Sequence, residues 1–443
     1  MSETIVAIAS PPGMGAVSVI RLSGSRAFEI AASVMVGKSL PEPRRVALRS
    51  IYDDAGRVID EGLLIIFKGP ESYTGENVVE FTGHGGIMVT RRILERLVEV
   101  GAAPAGPGEF TQRAFMNGRM DLTQAEAVMD LISAQTSLAL RSANEQLDGR
   151  LGRTCEKIRA KLLGATAHLE AFIDFPEEDI DPKVGEGLCK ALREQSTLIA
   201  GLLATADQGR ILREGVRTVI FGKPNVGKSS LLNRLLGYQR AIVSSREGTT
   251  RDTIEEVVNL RGIPLRLIDT AGVRESRDEV EQEGIAMTHG QVARADLVLV
   301  IRDLSESLAE TAEVDIPDGA RRLDILNKSD LEDASWAQVK GLRISCESGD
   351  GFEDLEIAIA ELLSLDEAHW GDHSVAVNAR HQACLTRAQS SLGKAIGSLQ
   401  AGDEPELTAL DLREALTAVG EIAGIVDAEE ILGEIFNNFC IGK

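Results

Sequence analysis

Short apolar runs with the alternation of β-strands open the chain. They are Thr4–Ala9, Ala16–Arg21, Gly62–Phe67 and Asn77–Phe81. A longer run over Ile87–Val100 repeats at helical spacing. Because strands that bury one face alternate with a period of two, we expect residues 1–118 to form a mixed α/β domain. Between these elements, Gly83–Gly86 is predicted to be a tight turn, and His84 has no neighbouring ligands in the sequence that would suggest a metal site.

Two later stretches, 119–210 and 376–443, repeat apolar residues at the spacing of helices. The predicted buried faces contain Leu122, Ala125, Val128 or Met129, and Ile132; then Leu412, Leu416, Val419, Ala423 and Val426; and finally Ile431, Ile435 and Phe439. The acidic segment Phe175–Pro182 lacks the spacing of a calcium loop and is predicted to be a solvated connection.

Between the helical stretches, residues 211–375 alternate strand-like and helix-like runs. The strands are expected at Val216–Phe221, Leu265–Ile268, Leu297–Ile301, Leu323–Leu326 and Leu342–Ile344. Such alternation predicts a mostly parallel sheet covered by helices on both faces. The fold class is therefore multidomain α/β plus all-α, with the α/β module inserted into one helical domain.

Composition bears on where the protein is located and on what it can bind. It has 443 residues, a net charge of −22, five scattered cysteines, no basic leader and no apolar run that approaches the ~20 residues of a membrane span. We expect a cytoplasmic protein without a membrane segment, and not an indiscriminate nucleic-acid binder. A local basic stripe remains, formed by Arg150, Arg153, Lys157 and Lys161; it is either a phosphate contact or an ordinary solvated face.

The segment Gly222–Ser230, GKPNVGKSS, matches the phosphate-binding pattern G-x-x-x-x-G-K-[ST] between a predicted strand and a predicted helix. Backbone N–H groups and the helix N-terminus create a site for phosphate oxygens. Lys228 can reach the β- and γ-phosphates, and the Ser229 hydroxyl can bind Mg²⁺. A glycine-rich turn could match the pattern by chance, but the motifs downstream argue against that.

Four shorter motifs follow in the order that GTPases use. Thr250 can reach Mg²⁺, Asp269 can hold it through water, and the Gly272 N–H can contact the γ-phosphate. Asp330, in Asn327-Lys-Ser-Asp330, can accept two hydrogen bonds from guanine, which favours GTP over ATP. Ser345-Cys346 can close over the base. Together the motifs predict a GTPase.

One position departs from Ras-like GTPases. Val273 follows Asp269-Thr-Ala-Gly272, where a water-orienting glutamine is expected. Hydrolysis then needs another polar group, and one of the acids in Glu275–Glu283 can supply it. The Asn225 side chain suits a monovalent cation near the phosphates, which carbonyls of Ser244–Thr249 can also bind.

Further motifs outside the nucleotide module carry a resemblance to a known family. They are V-V-E-x-x-G-H-G-G at 78–86, P-G-E-F-T-Q-R-A-F at 107–115, D-L-T-Q-A-E-A at 121–127 and the terminal F-C-I-G-K at 439–443. With Pro11-Pro-Gly near the start, they resemble the MnmE (TrmE) family of tRNA-modification GTPases over essentially the whole chain.

The resemblance implies a tetrahydrofolate-binding, dimerising N-terminal domain whose 5-formyltetrahydrofolate contacts are Arg21, Glu80, Arg119 and Lys443. Arg119 stands where lysine is common in the family. It implies potassium ligands at Asn225, Ser244, Arg246 and Thr249, with a general base at Glu281. It also implies a homodimer that works with the FAD-dependent partner MnmG on C5 of the wobble uridine of certain tRNAs. Cys440 is a candidate nucleophile, although a cysteine in a helical C-terminus is more often a small buried apolar residue.

The predicted site residues fall into a few groups. Lys228 and Glu281 are the predicted catalytic residues, and Ser229 and Thr250 the magnesium ligands. The predicted GTP contacts are Asn225, Val226, Gly227, Lys228, Ser229, Ser230, Ser244, Ser245, Arg246, Glu247, Gly248, Thr249, Thr250, Asp269, Thr270, Ala271, Gly272, Asn327, Lys328, Asp330, Ser345 and Cys346. At Cys346 the family more often has alanine.

Two other functions fit the nucleotide motifs alone. A ribosome-assembly GTPase of the Era or Der type would bind RNA without modifying it, but it would carry a KH-type module in place of residues 1–118. A folate-binding regulator would use its GTPase only to report nucleotide status.

Overall fold

A computed structural model of the chain describes residues 3–35, 39–174, 184–238, 256–268, 295–306, 320–331, 334–336, 338–363, 376–425, 429–437 and 439–442. Two compact units emerge from its contacts. One contains residues 1–129, 147–188 and 397–443, and the other contains 130–146 and 189–396. The predicted domain limits at 118, 210 and 375 stay predictions.

The N-terminal sheet has six strands in the order β3-β4-β5-β2-β1-β6, and all pairs except the parallel pair β1–β6 are antiparallel. The strands are β1 (Ile5–Ile8), β2 (Val17–Ser23), β3 (Ala47–Tyr52), β4 (Val58–Phe67), β5 (Val78–His84) and β6 (Ala103–Pro104). Helices α1 (Ala27–Ser33) and α2 (Ile87–Glu99) share a core with one face of this sheet. Burial alternates along β5, where Phe81 is buried and its neighbours Glu80 and Thr82 are partly exposed.

The chain forms eleven further α-helices within the described ranges. They are α3 (Glu109–Met116), α4 (Leu122–Ser133), α5 (Ser137–Leu147), α6 (Arg150–Asp174), α7 (Val184–Ala204), α8 (Ala206–Glu214), α9 (Lys228–Tyr238), α10 (Phe352–Leu362), α11 (Ala379–Ala401) and α12 (Pro405–Ala423), followed by a last helix, α13 (Glu429–Asn437). Helix α12 packs along α6. Across the described ranges, no helix combines the length and apolar composition of a membrane span, and the cytoplasmic location stays a prediction.

The second sheet has the order β12-β11-β10-β7-β9-β8. Its strands are β7 (Val216–Phe221), β8 (Glu256–Leu260), β9 (Ile263–Leu267), β10 (Leu297–Asp303), β11 (Arg321–Asn327) and β12 (Leu342–Arg343). All neighbours are parallel except β8 and β9, which form a hairpin. The predicted mostly parallel sheet is therefore confirmed, and the carboxyl ends of β7, β10 and β11 lie at one edge, where this architecture binds ligands.

Several details differ from the sequence predictions. The strand β5 includes Gly83 and His84, so the predicted turn shortens to two residues before α2. Phe439 does not continue the last helix, which ends at Asn437; it packs on Phe436 with ring centroids 5.2 Å apart. Ile132 is 46% exposed although it was assigned to a buried face. Val426 lies outside the described residues.

The buried face of α12 gives a stability prediction. Leu412 is 0% exposed, whereas Leu410 on the same helix is 64% exposed. Truncation of a fully buried leucine leaves a cavity, so we expect Leu412→Ala to lower the free energy of unfolding by about 3 kcal/mol. Leu410→Ala should change it by less than about 0.5 kcal/mol. Chemical denaturation followed by circular dichroism measures both, and equal losses would contradict this packing.

Candidate functional site

The phosphate loop runs from the end of β7 into α9. Gly222 lies so close to β10 that a Cβ there would meet the Ile301 oxygen at 2.5 Å. Gly227 has φ +102°, and a Cβ there would meet Asn327 Nδ2 at 2.2 Å. Both glycines of the motif are therefore required by close approach, and at Gly227 also by a left-handed backbone. The Leu231 N–H donates to the Gly227 oxygen at 2.9 Å, which joins the loop to the first turn of the helix.

Lys228 places its ammonium group against the loop itself. Its Nζ donates to the backbone oxygens of Gly222, at 2.6 Å, and Lys223, at 2.8 Å. Burial lowers the pKa of Lys228. Asn225, with φ +65°, and the first-turn residues Ser229 and Ser230 are exposed. The loop thus combines a cation, a helix N-terminus and accessible hydroxyls, which is the chemistry that phosphate and Mg²⁺ require.

The Asn327 side chain connects this loop to a second loop, Ser345–Asp350, which we call the base loop. Its Nδ2 donates to the Val226 oxygen at 2.9 Å, and its Oδ1 accepts from the Cys346 N–H at 3.1 Å. Asn327 is 2% exposed. A buried amide with both ends hydrogen-bonded fixes the spacing of the groups it joins.

Lys328 follows with a left-handed backbone, φ +63°, and pairs with the carboxylate of Asp303 at the end of β10. Asp303 also accepts hydrogen bonds from the Ser305 N–H at 2.8 Å and hydroxyl at 2.6 Å. Burial alone would raise the pKa of Asp303, but the hydrogen bonds from Lys328 and Ser305 outweigh it and hold the pKa below its ordinary value. Sequence reasoning missed Asp303, although its place after an apolar strand was a usable signal.

Asp330 lies exposed in a short 3₁₀ turn, Ser329–Leu331. The Ser329 N–H donates to the Ile344 oxygen at 3.1 Å, which ties this turn to the strand before the base loop. In that loop Ser345 is buried and Cys346 is half-buried. Burial raises the pKa of the Cys346 thiol to about 11.

A second cluster lies on the N-terminal sheet, where Arg21 and Glu80 are paired across β2 and β5. Arg21 Nε donates to Glu80 Oε1 at 2.8 Å, and its guanidinium lies over the rings of Tyr73, at 5.3 Å, and Phe110, at 5.6 Å. Arg21 Nη1 also donates to the Gly442 oxygen at 3.5 Å. The chain's last described residues therefore lie beside this pair.

A charged network missed by sequence reasoning continues from the same strand. Arg113 pairs with Glu76 at 3.1 Å and with Glu109 at 2.7 Å. Glu76 in turn accepts a hydrogen bond from the Ser23 hydroxyl at 2.7 Å. Because Ser23 lies two residues after Arg21 on β2, the network and the Arg21–Glu80 pair lie on the same side of that strand.

Comparison with known proteins covers almost the whole chain. Residues 4–119 match the model of the GTP-binding protein TrmE N-terminus, and residues 122–440 match that of the MnmE helical domain. The chain belongs to the MnmE family of tRNA modification GTPases.

Relatives in the MnmE family match over their full length. The tRNA modification GTPase MnmE of Akkermansia muciniphila is 50% identical, over 100% of this chain and 99% of that protein. The Geobacter sulfurreducens relative is 44% identical over 100% of both. Among solved structures, the G domain of the T. maritima FeoB iron transporter is 24% identical over 33% of this chain and 98% of that one, with a TM-score of 0.23. The resemblance inferred from the sequence is confirmed.

Part of the predicted MnmE-family site lies outside the described residues. These positions are Ser244, Ser245, Arg246, Glu247, Gly248, Thr249, Thr250, Asp269, Thr270, Ala271, Gly272, Glu281 and Lys443. The described nucleotide positions, from Asn225 to Ser230 and from Asn327 to Cys346, lie along the carboxyl edge of the sheet or in the loops that follow it. Arg119 is exposed, and its Cγ lies 3.4 Å from where a Cβ on Gly75 would be. No hydrogen bond joins Arg119 to Arg21 or Glu80 in the described part of the chain.

The structure also describes Cys440, His84 and the basic stripe, for which the sequence of this MnmE-family chain gave predictions. Cys440 is exposed and follows the last helix, so the interpretation of it as a buried apolar residue is wrong. His84 does have a carboxylate beside it in space, since its Nδ1 lies 2.7 Å from Asp60 Oδ1. Even so, the described ranges hold no group of three metal-ligating side chains. In the basic stripe, Arg153, Lys157 and Lys161 are exposed on α6, as both interpretations of the stripe require.

The cysteines give a direct chemical test of the site. Because the pKa of Cys346 is about 11, about one thiol in a thousand is ionised near pH 8, and only the thiolate alkylates. We expect iodoacetamide to modify exposed Cys440 first, and its reaction with Cys346 to speed up about tenfold per pH unit toward that pKa. Peptide mass spectrometry measures both rates, with Cys440→Ser as the control. Equal labelling of Cys346 and Cys440 near pH 8 would contradict the burial of Cys346.

Proposed function

We propose that the chain is a potassium-stimulated GTPase that, with the FAD-dependent partner MnmG, modifies C5 of the wobble uridine of certain tRNAs with a one-carbon unit from tetrahydrofolate. Membership of the MnmE family supplies the coarse function, a GTP hydrolase of tRNA modification. The observation that carries the nucleotide part is the Asn327 amide, which joins the phosphate loop to the base loop.

The described residues suit both the phosphates and the guanine base of GTP. Lys228 and the N-terminus of α9 would stabilise the phosphate oxygens, and the Ser229 hydroxyl, with Thr250, would bind Mg²⁺. The bound ion supplies positive charge between the β- and γ-phosphates. At the other end the exposed Asp330 carboxylate would accept hydrogen bonds from guanine N1–H and the exocyclic amine. Adenine lacks that pair of donors, so the site would prefer GTP.

Hydrolysis would depend on a cation in place of an arginine finger. The Asn225 side chain is exposed in the phosphate loop, which supports its role as a potassium ligand together with Ser244, Arg246 and Thr249. Glu281 would orient the water, since Val273 cannot. Two copies of the nucleotide module would meet across GTP and potassium in a homodimer.

The Arg21–Glu80 pair supports the folate part of the proposal. Glu80 keeps a partly exposed carboxylate on the sheet face, held by Arg21, and it can accept hydrogen bonds from a pterin ring. Arg119 and Lys443 would bind the negative glutamyl tail. The aromatic rings under Arg21 fix the direction of its guanidinium. The match of residues 4–119 to the TrmE N-terminus weighs against the ribosome-assembly alternative.

Nucleotide turnover tests the first half of the proposal. We expect GTP hydrolysis, no comparable ATP hydrolysis, and a rate in potassium chloride at least about tenfold above that in sodium chloride, because sodium is too small for the same ligands. Phosphate release measures all three rates.

Asp330→Asn is the matched variant for that experiment. Its amide would donate to the C2 carbonyl of xanthine, so preference should move from GTP to xanthosine triphosphate. Equal turnover of ATP and GTP by the unaltered chain would refute the guanine assignment, and equal rates in the two salts would refute the potassium site.

Calorimetric titration with 5-formyltetrahydrofolate tests the second half. Glu80→Gln keeps the side-chain size but removes the charged acceptor, so the affinity should fall about tenfold to a hundredfold. GTP turnover should not change. Glu29→Gln, on the exposed Arg26–Glu29 pair of α1, is the control and should bind as the unaltered chain does. Unchanged folate affinity in Glu80→Gln would remove Glu80 from the site.

A further inference from the structure

Arg234 lies on α9, two turns after the phosphate loop, and its guanidinium reaches the base loop. Its Nη1 donates to the backbone oxygens of Cys346, at 3.2 Å, and Glu347, at 3.3 Å. Its Nη2 donates to the Ser348 oxygen at 3.3 Å. One side chain therefore holds three successive carbonyl groups of the loop, which suits the planar fork of arginine and not the single ammonium of lysine.

The guanidinium of Arg234 is closely packed between an aromatic ring and the backbone of the base loop. Its carbon lies 5.4 Å from the ring centroid of buried Phe352, the first residue of α10. Gly349 has φ +95°, and a Cβ there would lie 1.9 Å from Arg234 Nη2. The loop can thus close over the guanidinium only because position 349 has no side chain.

The contact joins the two ends of the nucleotide site. Helix α9 begins at Lys228, and six residues of helix place Arg234 about 9 Å further along the axis. The helix that presents the phosphate contacts is therefore braced directly against the base loop. This brace is separate from the Asn327 amide, because the two use different atoms of the loop.

We propose that Arg234 is a positioning residue for guanine recognition, an inference that rests on the proposed GTP site. A trans peptide points its carbonyl and N–H in opposite directions. When Arg234 holds the Cys346 carbonyl, the Glu347 N–H faces the other side of the loop, where it can donate to the 6-oxygen of guanine. Asp330 would bind the neighbouring N1–H and exocyclic amine on the same edge of the base, so the two contacts use different groups of guanine.

Nucleotide affinities of Arg234→Met and Arg234→Lys test this role in the full chain. We expect the Kd for GDP to rise about tenfold in Arg234→Met, with only partial rescue in Arg234→Lys. The diphosphate of 2-aminopurine riboside has neither the 6-oxygen nor the N1 proton, so it should bind the unaltered chain more weakly than GDP. Its Kd should nevertheless change less than about twofold between the unaltered chain and Arg234→Met. Arg261→Met is the control: it removes an arginine that pairs with Glu353 and Glu356 on α10, and its GDP affinity should stay within about twofold.

A purely structural brace would weaken both nucleotides by the same factor, and that result would overturn the proposal. So would an unchanged Kd for GDP in Arg234→Met. At saturating GTP, kcat should stay within about twofold while KM rises, because Arg234 touches no reacting group.

A second variant tests the geometry independently. Gly349→Ala should weaken GDP binding because its methyl group displaces the guanidinium. Backbone strain at φ +95° is present with or without Arg234, so it cancels in a double-mutant cycle. We expect Gly349→Ala to cost clearly less affinity in the Arg234→Met background. Strictly additive losses would contradict the contact.

Asp330→Asn separates a failure of this inference from a failure of the GTP site. If that variant does not move preference from GDP to xanthosine diphosphate, the guanine assignment is wrong and the inference falls with it. If the preference moves and the Arg234 variants still bind GDP normally, only the inference is overturned.

Discussion

The buried amide of Asn327 is the interaction on which the nucleotide module depends. It joins the phosphate loop through the Val226 oxygen and the base loop through the Cys346 N–H, so each end of the amide has a partner. An aspartate there could accept but not donate, which would leave the Val226 oxygen buried without its bond. The same side chain excludes any Cβ at Gly227. Two motifs that are 100 residues apart in the sequence are therefore parts of one packing arrangement.

Close packing also holds the chain's last described residues against the N-terminal sheet. Ile441 forms a β-bridge with Pro107, and a Cβ at Gly442 would lie 2.5 Å from the Ile8 oxygen. With φ +101°, Gly442 also has a backbone that favours glycine. Gly442 thus lies against β1 and beside Arg21, and this close approach together with its backbone conformation requires glycine at that position.

Sequence reasoning located the elements whose signal is local. Val216–Phe221 was predicted with the bounds that the structure has, because a continuous apolar run before a glycine motif has few other interpretations. Strand β3 was missed because Ile51 alone among its six residues is fully buried, so its alternation is weak. Strand β8 was missed because it pairs only with β9 at the sheet edge. The helical reading of Phe439 was wrong because a ring contact with Phe436, and not helix geometry, buries it.

The same distinction separates the site residues that could be predicted from those that could not. Lys228 and Asp330 belong to motifs in which spacing itself carries the chemistry. Asp303 and Arg234 belong to no such motif: the position of Asp303 after an apolar strand was a signal without a partner, and the contacts of both residues appear only in the tertiary structure. Asp303 acts through its charge on a side chain, whereas Arg234 acts through hydrogen bonds to the backbone. Asp303, with its lowered pKa, stays ionised down to acidic pH and keeps a countercharge on Lys328, so the pair weakens only when pH falls through that pKa.

Arg234 needs no such countercharge, because its partners are backbone carbonyls. The two contacts differ in what they restrict: Asp303 holds the Lys328 side chain, and Arg234 holds the backbone of the base loop. Preorganising both before the ligand arrives lowers the conformational entropy lost on binding. At the proposed GTP site, selectivity for guanine would then depend as much on the rigidity of these supports as on the Asp330 carboxylate.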